Sequence, residues 1–213
     1  MFNTTTTLPN DIQSFDCNFI TNNTPNSKLP ILVYRNIINK SYLLTEFNQL
    51  NESDKISLIN ETLLKNGWKA EQTWGAYTNT HYHYNVHEAY FITEGSSTLI
   101  LGLDVNIVPE ETTPELLSQS NHIEIEVKYG DLIILPAGTS HCSKSFDEKY
   151  KYIAAYPING PKWKSISKLN LKSISMETID GYKDIAKEVA LPPNDPIYHD
   201  SKGGLVDIWN SYI

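Results

Sequence analysis

From Glu71 to Tyr156 polar and apolar residues alternate with a period of two, in short pieces broken by turn residues. The pieces read "QTWGAYTNTHYH", "EAYFIT", "STLILGL", "IEIEV", "DLIILP" and "KYIAAYP", and Glu94-Gly95, Gly102, Tyr129-Gly130 and Pro136-Ala137-Gly138 separate most of them. Alternation sends successive side chains to opposite faces of a strand, so each piece offers one face to a core. Many short strands with frequent turns predict a mainly β fold, an antiparallel sandwich or barrel with a few flanking helices. The 213 residues suffice for one such domain with extensions, its core buried without disulfide staples.

The flanks read differently. Residues 1–28 are rich in Asn, Thr, Ser and Pro and suggest a loose arm. "LPILVYRN" (Leu29 to Asn36) reads as a strand. A helix is expected over about 53–66: Ser53 suits the N-cap, Asp54 the positive helix start, and Gly67 the C′ position. Ile56, Ile59 and Leu63 form its apolar face. The barrel is thus expected over 29–160. Over 161–213 a second helix, "METIDGYKDIAKEV", shows Ile179, Tyr182, Ile185 and Val189 on one face, and a Pro- and Gly-broken tail is expected to run extended over the surface.

Charge narrows the partners. A net charge of -8 and a pI near 5.2 argue against nucleic acid or an anionic membrane. Of the acidic runs "PEETTPE" and "HIEIE", the first reads mainly as a solvated loop. Two cysteines, Cys17 and Cys142, are too few for a secreted disulfide scaffold. No apolar run approaches a membrane span of ~20 residues, and the N-terminus shows neither a basic nor an apolar leader region. A cytoplasmic protein is expected.

Chemistry concentrates in "HYHYNVHEAYFITEG", His81 to Gly95. His81 and His83 sit two apart and project from one strand face, where two imidazoles can converge on one ion. Glu88 has the opposite parity and joins them only if "YNVH", with Asn85, turns the chain. It opens an apolar run in which an unpaired carboxylate is costly and a cation offsets the cost. His141 follows the turn at Pro136-Ala137-Gly138 and can point back to the same interior. His87 faces the other way and reads as a residue behind the ligands or at the surface, Cys142 as a buried thiol, and His122 and His199 as surface residues. Tyr77 shares parity with His81, and Tyr90 with Glu88.

These residues resemble the two motifs of the cupin superfamily. Gly75-x5-His81-x-His83-x4-Glu88-x6-Gly95 matches the first motif without a gap, and Gly130-x5-Pro136-x-Gly138-x2-His141 matches the second. Beyond the motifs, "LPILVYR", "NGW", "AAYP.NG..W" and "LPPNDPIY" look like the YjlB-like branch of cupins, over roughly Leu29 to Trp209. The resemblance implies a double-stranded β-helix, the cupin jelly-roll barrel, with its pocket inside, but no particular reaction. One position departs from the pattern: Ser145 stands where the second motif usually ends in Asn. Regular strand parity would put Ser145 on the pocket wall.

Three neutral imidazoles and one carboxylate suit a divalent transition metal, Fe(II) or Mn(II) first, with Zn, Ni, Co or Cu also admissible. A barrel closed by hydrogen bonds hardly needs a structural staple, so a chemical role is expected. The sharpest expectation is a non-haem dioxygenase-type oxidoreductase acting on a small molecule in the barrel, with Tyr77 or Tyr90 orienting substrate or relaying a proton. The alternatives are a metal-dependent isomerase or lyase, and a non-catalytic binding or storage-like cupin. No separate organic cofactor is expected. Edge strands of such a barrel suggest a homodimer. Gel filtration with light scattering should therefore give about twice the 24.2 kDa chain mass; a mass near one chain would exclude the dimer.

Overall fold

A computed structural model describes residues 12–19, 21–37, 47–200 and 202–213. Eleven strands among them form two antiparallel sheets. The six-stranded sheet runs in the order β1 (Ile12–Phe15), β2 (Ile31–Tyr34), β8 (Leu132–Leu135), β5 (Glu88–Glu94), β10 (Lys151–Pro157) and β3 (Trp68–Trp74). The five-stranded sheet runs β11 (Ser165–Ser167), β4 (His81–His83), β9 (His141–Phe146), β6 (Ser96–Leu101) and β7 (Ile123–Lys128). The chain passes repeatedly from one sheet to the other, so the sheets face each other as a jelly roll.

Alternation sorts the side chains into layers. Ile133 and Leu135 of β8 join Val33, Ile92, Leu99, Leu101 and Val127 between the sheets, and Leu132 and Ile134 face outward. Both β8 faces are covered, which explains a strand apolar at every position. β7 has one wet face: Ile125 and Val127 are buried while Glu124, Glu126 and Lys128 are exposed. The acidic "IEIE" run is therefore the solvated side of an edge strand.

The outer face of the six-stranded sheet is roofed by α1 (Glu52–Leu63) through Ile59 and Leu63, and by α5 (Leu205–Asn210) through Leu205 and Trp209. The N-cap of α1 is Asn51, not Ser53. The Asn51 side chain accepts from Asp54 N–H at 3.0 Å, which puts Ser53 inside the first turn. Gly67 takes φ +78 just past the helix, as its C′ position requires. α2 (Pro114–Gln119), capped by Thr113, packs Leu117 with Ile100, Leu103 and Cys142. α3 (Lys168–Leu171) follows β11, and the five-stranded sheet is covered by α4 (Met176–Glu188), where Tyr84 stacks on Tyr182 at 4.0 Å. On α4 Ile179 and Ala186 are buried and Ile185 is exposed. The helical pitch carries the buried stripe from Ile179 to Ala186, and Ile185 lies off it.

The flanks are more ordered than their composition suggests. Within the expected loose arm, Ile12–Phe15 pairs with β2, whose outer edge would otherwise be open; residues 1–11 and 20 of that arm lie outside the described residues. The tail is not simply extended, because it is anchored around Asp195. Its buried carboxylate accepts from Tyr34 OH at 2.6 Å, Leu205 N at 2.7 Å, and Ile197 N and Tyr198 N at 2.8 Å each. Asn66 donates to Pro196 O, Trp68 Nε1 to Asn194 O, and Trp209 Nε1 to Pro30 O. "LPILVYR", "NGW" and "LPPNDPIY" thus meet in one clamp that holds α5 on the sheet.

Asp195→Ala removes an acceptor from four donors, and Tyr34→Phe removes one donor. Hydrogen bonds to a charged group contribute roughly 1.5–3 kcal/mol each. Urea unfolding should therefore show Tyr34→Phe destabilised by about 1.5–3 kcal/mol and Asp195→Ala by clearly more. Equal losses would mean the backbone donors find other partners.

Candidate metal centre

β4 lies between β9 and β11, with His81 opposite His141 and His83 opposite Ser165. The strand's pleat turns His81 and His83 into the barrel and Tyr82 out beneath α4. The chain then crosses to the other sheet and enters β5 at Glu88, which pairs with Leu135. This crossover reverses the parity difference, so Glu88 points at the histidines across the barrel. Asn85 does not make the turn by itself: it clamps the returning chain, donating to Lys162 O and accepting from Lys164 N, each at 2.9 Å. Gly138 N–H donates to His83 O at 2.7 Å, tying the second motif to the first. Gly138 has φ +85, and a Cβ there would lie 2.9 Å from Ala186 Cβ and from Pro25 Cβ. Both conditions require glycine.

The structure brings His81, His83 and His141 together in one cluster and sets Glu88 against two of them. Ligand atoms of His81, His83 and His141 lie within 4.8 Å of one another. Glu88 Oε2 is 3.3 Å from both His83 Nε2 and His141 Nε2. Each imidazole uses Nδ1 on a backbone carbonyl: His81 on Asn79 at 3.1 Å, His83 on Lys164 at 3.2 Å, and His141 on Thr139 at 3.0 Å. A carbonyl only accepts, so each Nδ1 carries the proton and each Nε2 presents a lone pair inward. Glu88 Oε2 and His141 Nε2 are buried without a hydrogen-bond partner. Lone pairs converging from three rings and a carboxylate repel one another unless a cation sits among them. The residues fit a divalent metal.

Electrostatics agree. Burial opposes ionisation of Glu88, yet His83 and His141 outweigh it and hold the carboxyl well below the usual range. Burial, then His141 and His83, keep the His81 imidazolium unfavourable, with a pKa well below the usual value. Burial also pulls His83 down, but Glu88 overcomes it and the net shift is upward.

The surrounding aromatic residues were partly foreseen. Tyr77 is exposed at the mouth, its ring 4.6 Å from that of His81. Tyr90 is buried, 5.7 Å from the His141 ring and stacked on Tyr152 at 4.0 Å. Sequence reasoning missed Tyr156, whose hydroxyl donates to Glu88 Oε1, and Trp163, whose ring is 5.4 Å from that of His83. The alternation Tyr152-x-x-x-Tyr156 in "KYIAAYP" was the available signal, since that face continues the pairing of β10 with β5. Together with Trp74 and Ser165 these residues line a cleft of about 120 Å³.

Other positions depart from expectation. Ser145 is exposed and does not line the cleft. The pairing of β6 with β9 shifts register between Thr98 and Leu99, and this irregularity breaks the parity from His141; Ser143 lines the interior instead. His87 is buried rather than at the surface, facing away from the donors. Its Nδ1 accepts from Ala137 N at 3.0 Å, its ring lies 4.8 Å from Trp209, and burial pushes its pKa down to about 4. Cys142 is a buried thiol, as expected, with its pKa raised by burial to about 11. His122 contacts Glu124 and His199 pairs with Asp200.

No family model matches the chain. It is 22% identical over 180 residues to the uncharacterised protein YjlB of Bacillus subtilis, covering 84% of this chain and 86% of that one. Similar solved structures include acireductone dioxygenase from Bacillus anthracis, with a cadmium ion in its active centre, at 17% identity and TM-score 0.37, covering 59% of this chain and 76% of that one. Procruciferin, an 11S globulin of Brassica napus, matches at 14% identity and TM-score 0.31, covering 55% of this chain. The chain spans 30% of that globulin's length. No helix among the described residues is long and apolar enough to cross a membrane.

At pH values where His83 Nε2 is protonated, a metal ion would have to displace that proton to bind. The raised pKa of His83 means the proton is held at low pH and lost as pH rises through that value. Apparent Zn(II) or Mn(II) affinity should then fall about tenfold per pH unit below it and level off above. Calorimetry in buffers of different ionisation enthalpy should show about one proton released in the lower range; affinity independent of pH would contradict the assignment. The chain thus folds as two facing antiparallel sheets that enclose a three-histidine cluster able to hold a metal ion.

Proposed function

We propose that this protein is a metal-dependent enzyme acting on a small molecule, with His81, His83, Glu88 and His141 holding a divalent ion. The observation that supports it is the convergence of four buried lone-pair donors, two of them left without a partner. Of the admissible ions, Fe(II) or Mn(II) with dioxygenase-type chemistry is the favoured reading: the ion would supply activation of dioxygen and of an oxygen-bearing substrate.

The chain's own residues prepare the site. Tyr156 occupies Glu88 Oε1 and so leaves Oε2 directed at the imidazoles. Burial first, and then Glu88, raise the Tyr90, Tyr152 and Tyr156 hydroxyls well above their ordinary value. They stay protonated, so Tyr90 serves as a donor that orients substrate oxygen and not as a base. Tyr77, at the mouth, guides entry beside His81. The same protonated donors would also serve Lewis-acid chemistry of an isomerase or lyase. A homodimer and a cytoplasmic location, both argued from the sequence, complete the proposal.

Mass spectrometry of untagged protein should find near-stoichiometric iron or manganese, abolished in His81→Ala and Glu88→Gln, and the loaded protein should consume dioxygen in a substrate screen. Stoichiometric zinc or nickel without oxygen uptake would favour the isomerase or lyase. Wild-type protein that holds no metal even after add-back would leave a non-catalytic binding module.

A further inference from the structure

The mouth of the cleft has a chemistry of its own. Trp74 and Tyr77, 37% and 38% exposed, present part of their aromatic faces to whatever enters the cleft. Trp163 stands across the His83 ring, and Tyr90, Tyr152 and Tyr156 continue the aromatic lining inward. No lysine or arginine side chain is among the described residues lining the cleft. A divalent ion on this donor set keeps a net charge near +1, which one ligand anion neutralises. A small dicarboxylate, ionised at both groups near neutral pH, would bring a second negative charge into a buried site with no cationic partner, whereas a catechol can bind with one hydroxyl still protonated. Flat apolar faces, tyrosine hydroxyls and one residual positive charge are instead complementary to a flat ring with adjacent oxygens.

We propose that the cleft selects a small planar aromatic compound carrying two adjacent oxygen donors, of the catechol type, with its ring held by Trp74 and Trp163. This rests on the reading of the four donors as a metal site, and the two can be tested apart. The chain has four tryptophans, of which Trp68 and Trp209 are fully buried. Emission quenched by a bound ligand therefore reports mainly on Trp74 and Trp163.

The test titrates 4-nitrocatechol, lactate and oxalate into Mn(II)-loaded and metal-free protein, following tryptophan emission and the nitrocatechol absorbance shift that accompanies chelation. Nitrocatechol should bind the loaded protein at least tenfold more tightly than lactate or oxalate, with both signals changing. Trp163→Leu and Trp74→Leu should each weaken it about tenfold while metal content stays that of wild type. Metal-free protein should keep the emission change, more weakly, and lose the absorbance shift. Equal affinity for oxalate, or tryptophan variants that bind nitrocatechol like wild type, would overturn the aromatic selection while the metal site stands. Protein that takes up no manganese yet quenches with nitrocatechol would overturn the metal reading and support the aromatic one.

Discussion

Everything in this molecule depends on the two-residue pleat of strands that are covered on both faces. In β4 the pleat sends Tyr82 out into the apolar layer under α4 and His81 and His83 into the barrel. In β8 it sends Leu132 and Ile134 toward α1 and α5, and Ile133 and Leu135 inward. Side chains on the outer faces fasten the helices, and those on the inner faces build the cleft. A donor set that stayed on one strand would have no counterpart across the barrel. Because β4 and β5 belong to opposite sheets, the histidines and Glu88 meet in the space between them.

That meeting would be unfavourable in a dry interior without the hydrogen bonds behind it. Carbonyls of Asn79, Lys164 and Thr139 fix all three rings in one tautomer, and Tyr156 fixes the carboxylate. Two of these carbonyls, on Asn79 and Thr139, lie two residues before the histidine they orient, so the local chain supplies its own support. The third comes from Lys164, whose position Asn85 sets. The donors are thus held with lone pairs inward before any ion arrives, which lowers the reorganisation that binding requires.

Much of this was legible in the sequence where the signal is local. Parity paired His81 with His83, the resemblance to the cupin motifs pointed to Glu88 and His141, and alternation marked the strands. Interactions remote in sequence were not legible. Ser145 was assigned by extending parity through β9, and the register shift opposite Thr98 breaks that extension. His87 was left between a place behind the ligands and the surface, because Trp209, which covers it, lies far along the chain. Tyr156 showed the correct alternation, but only the pairing of β10 with β5 reveals that it reaches Glu88. Trp163 and the clamp around Asp195 belong to segments without periodic pattern, where side-chain partners decide the conformation.

The contact of Trp209 with His87 has a consequence for the order in which the molecule can be completed. His87 adjoins Glu88 in the first motif and receives the Ala137 N–H of the second, so the ring of Trp209 rests on the junction of the two. During synthesis both motifs leave the ribosome long before residue 209 does. A nascent chain holding the whole barrel sequence would still expose the flank of that junction and the unfilled Asp195 clamp. The flank of that junction is therefore expected to be covered late, only once residues 195–209 have emerged and docked.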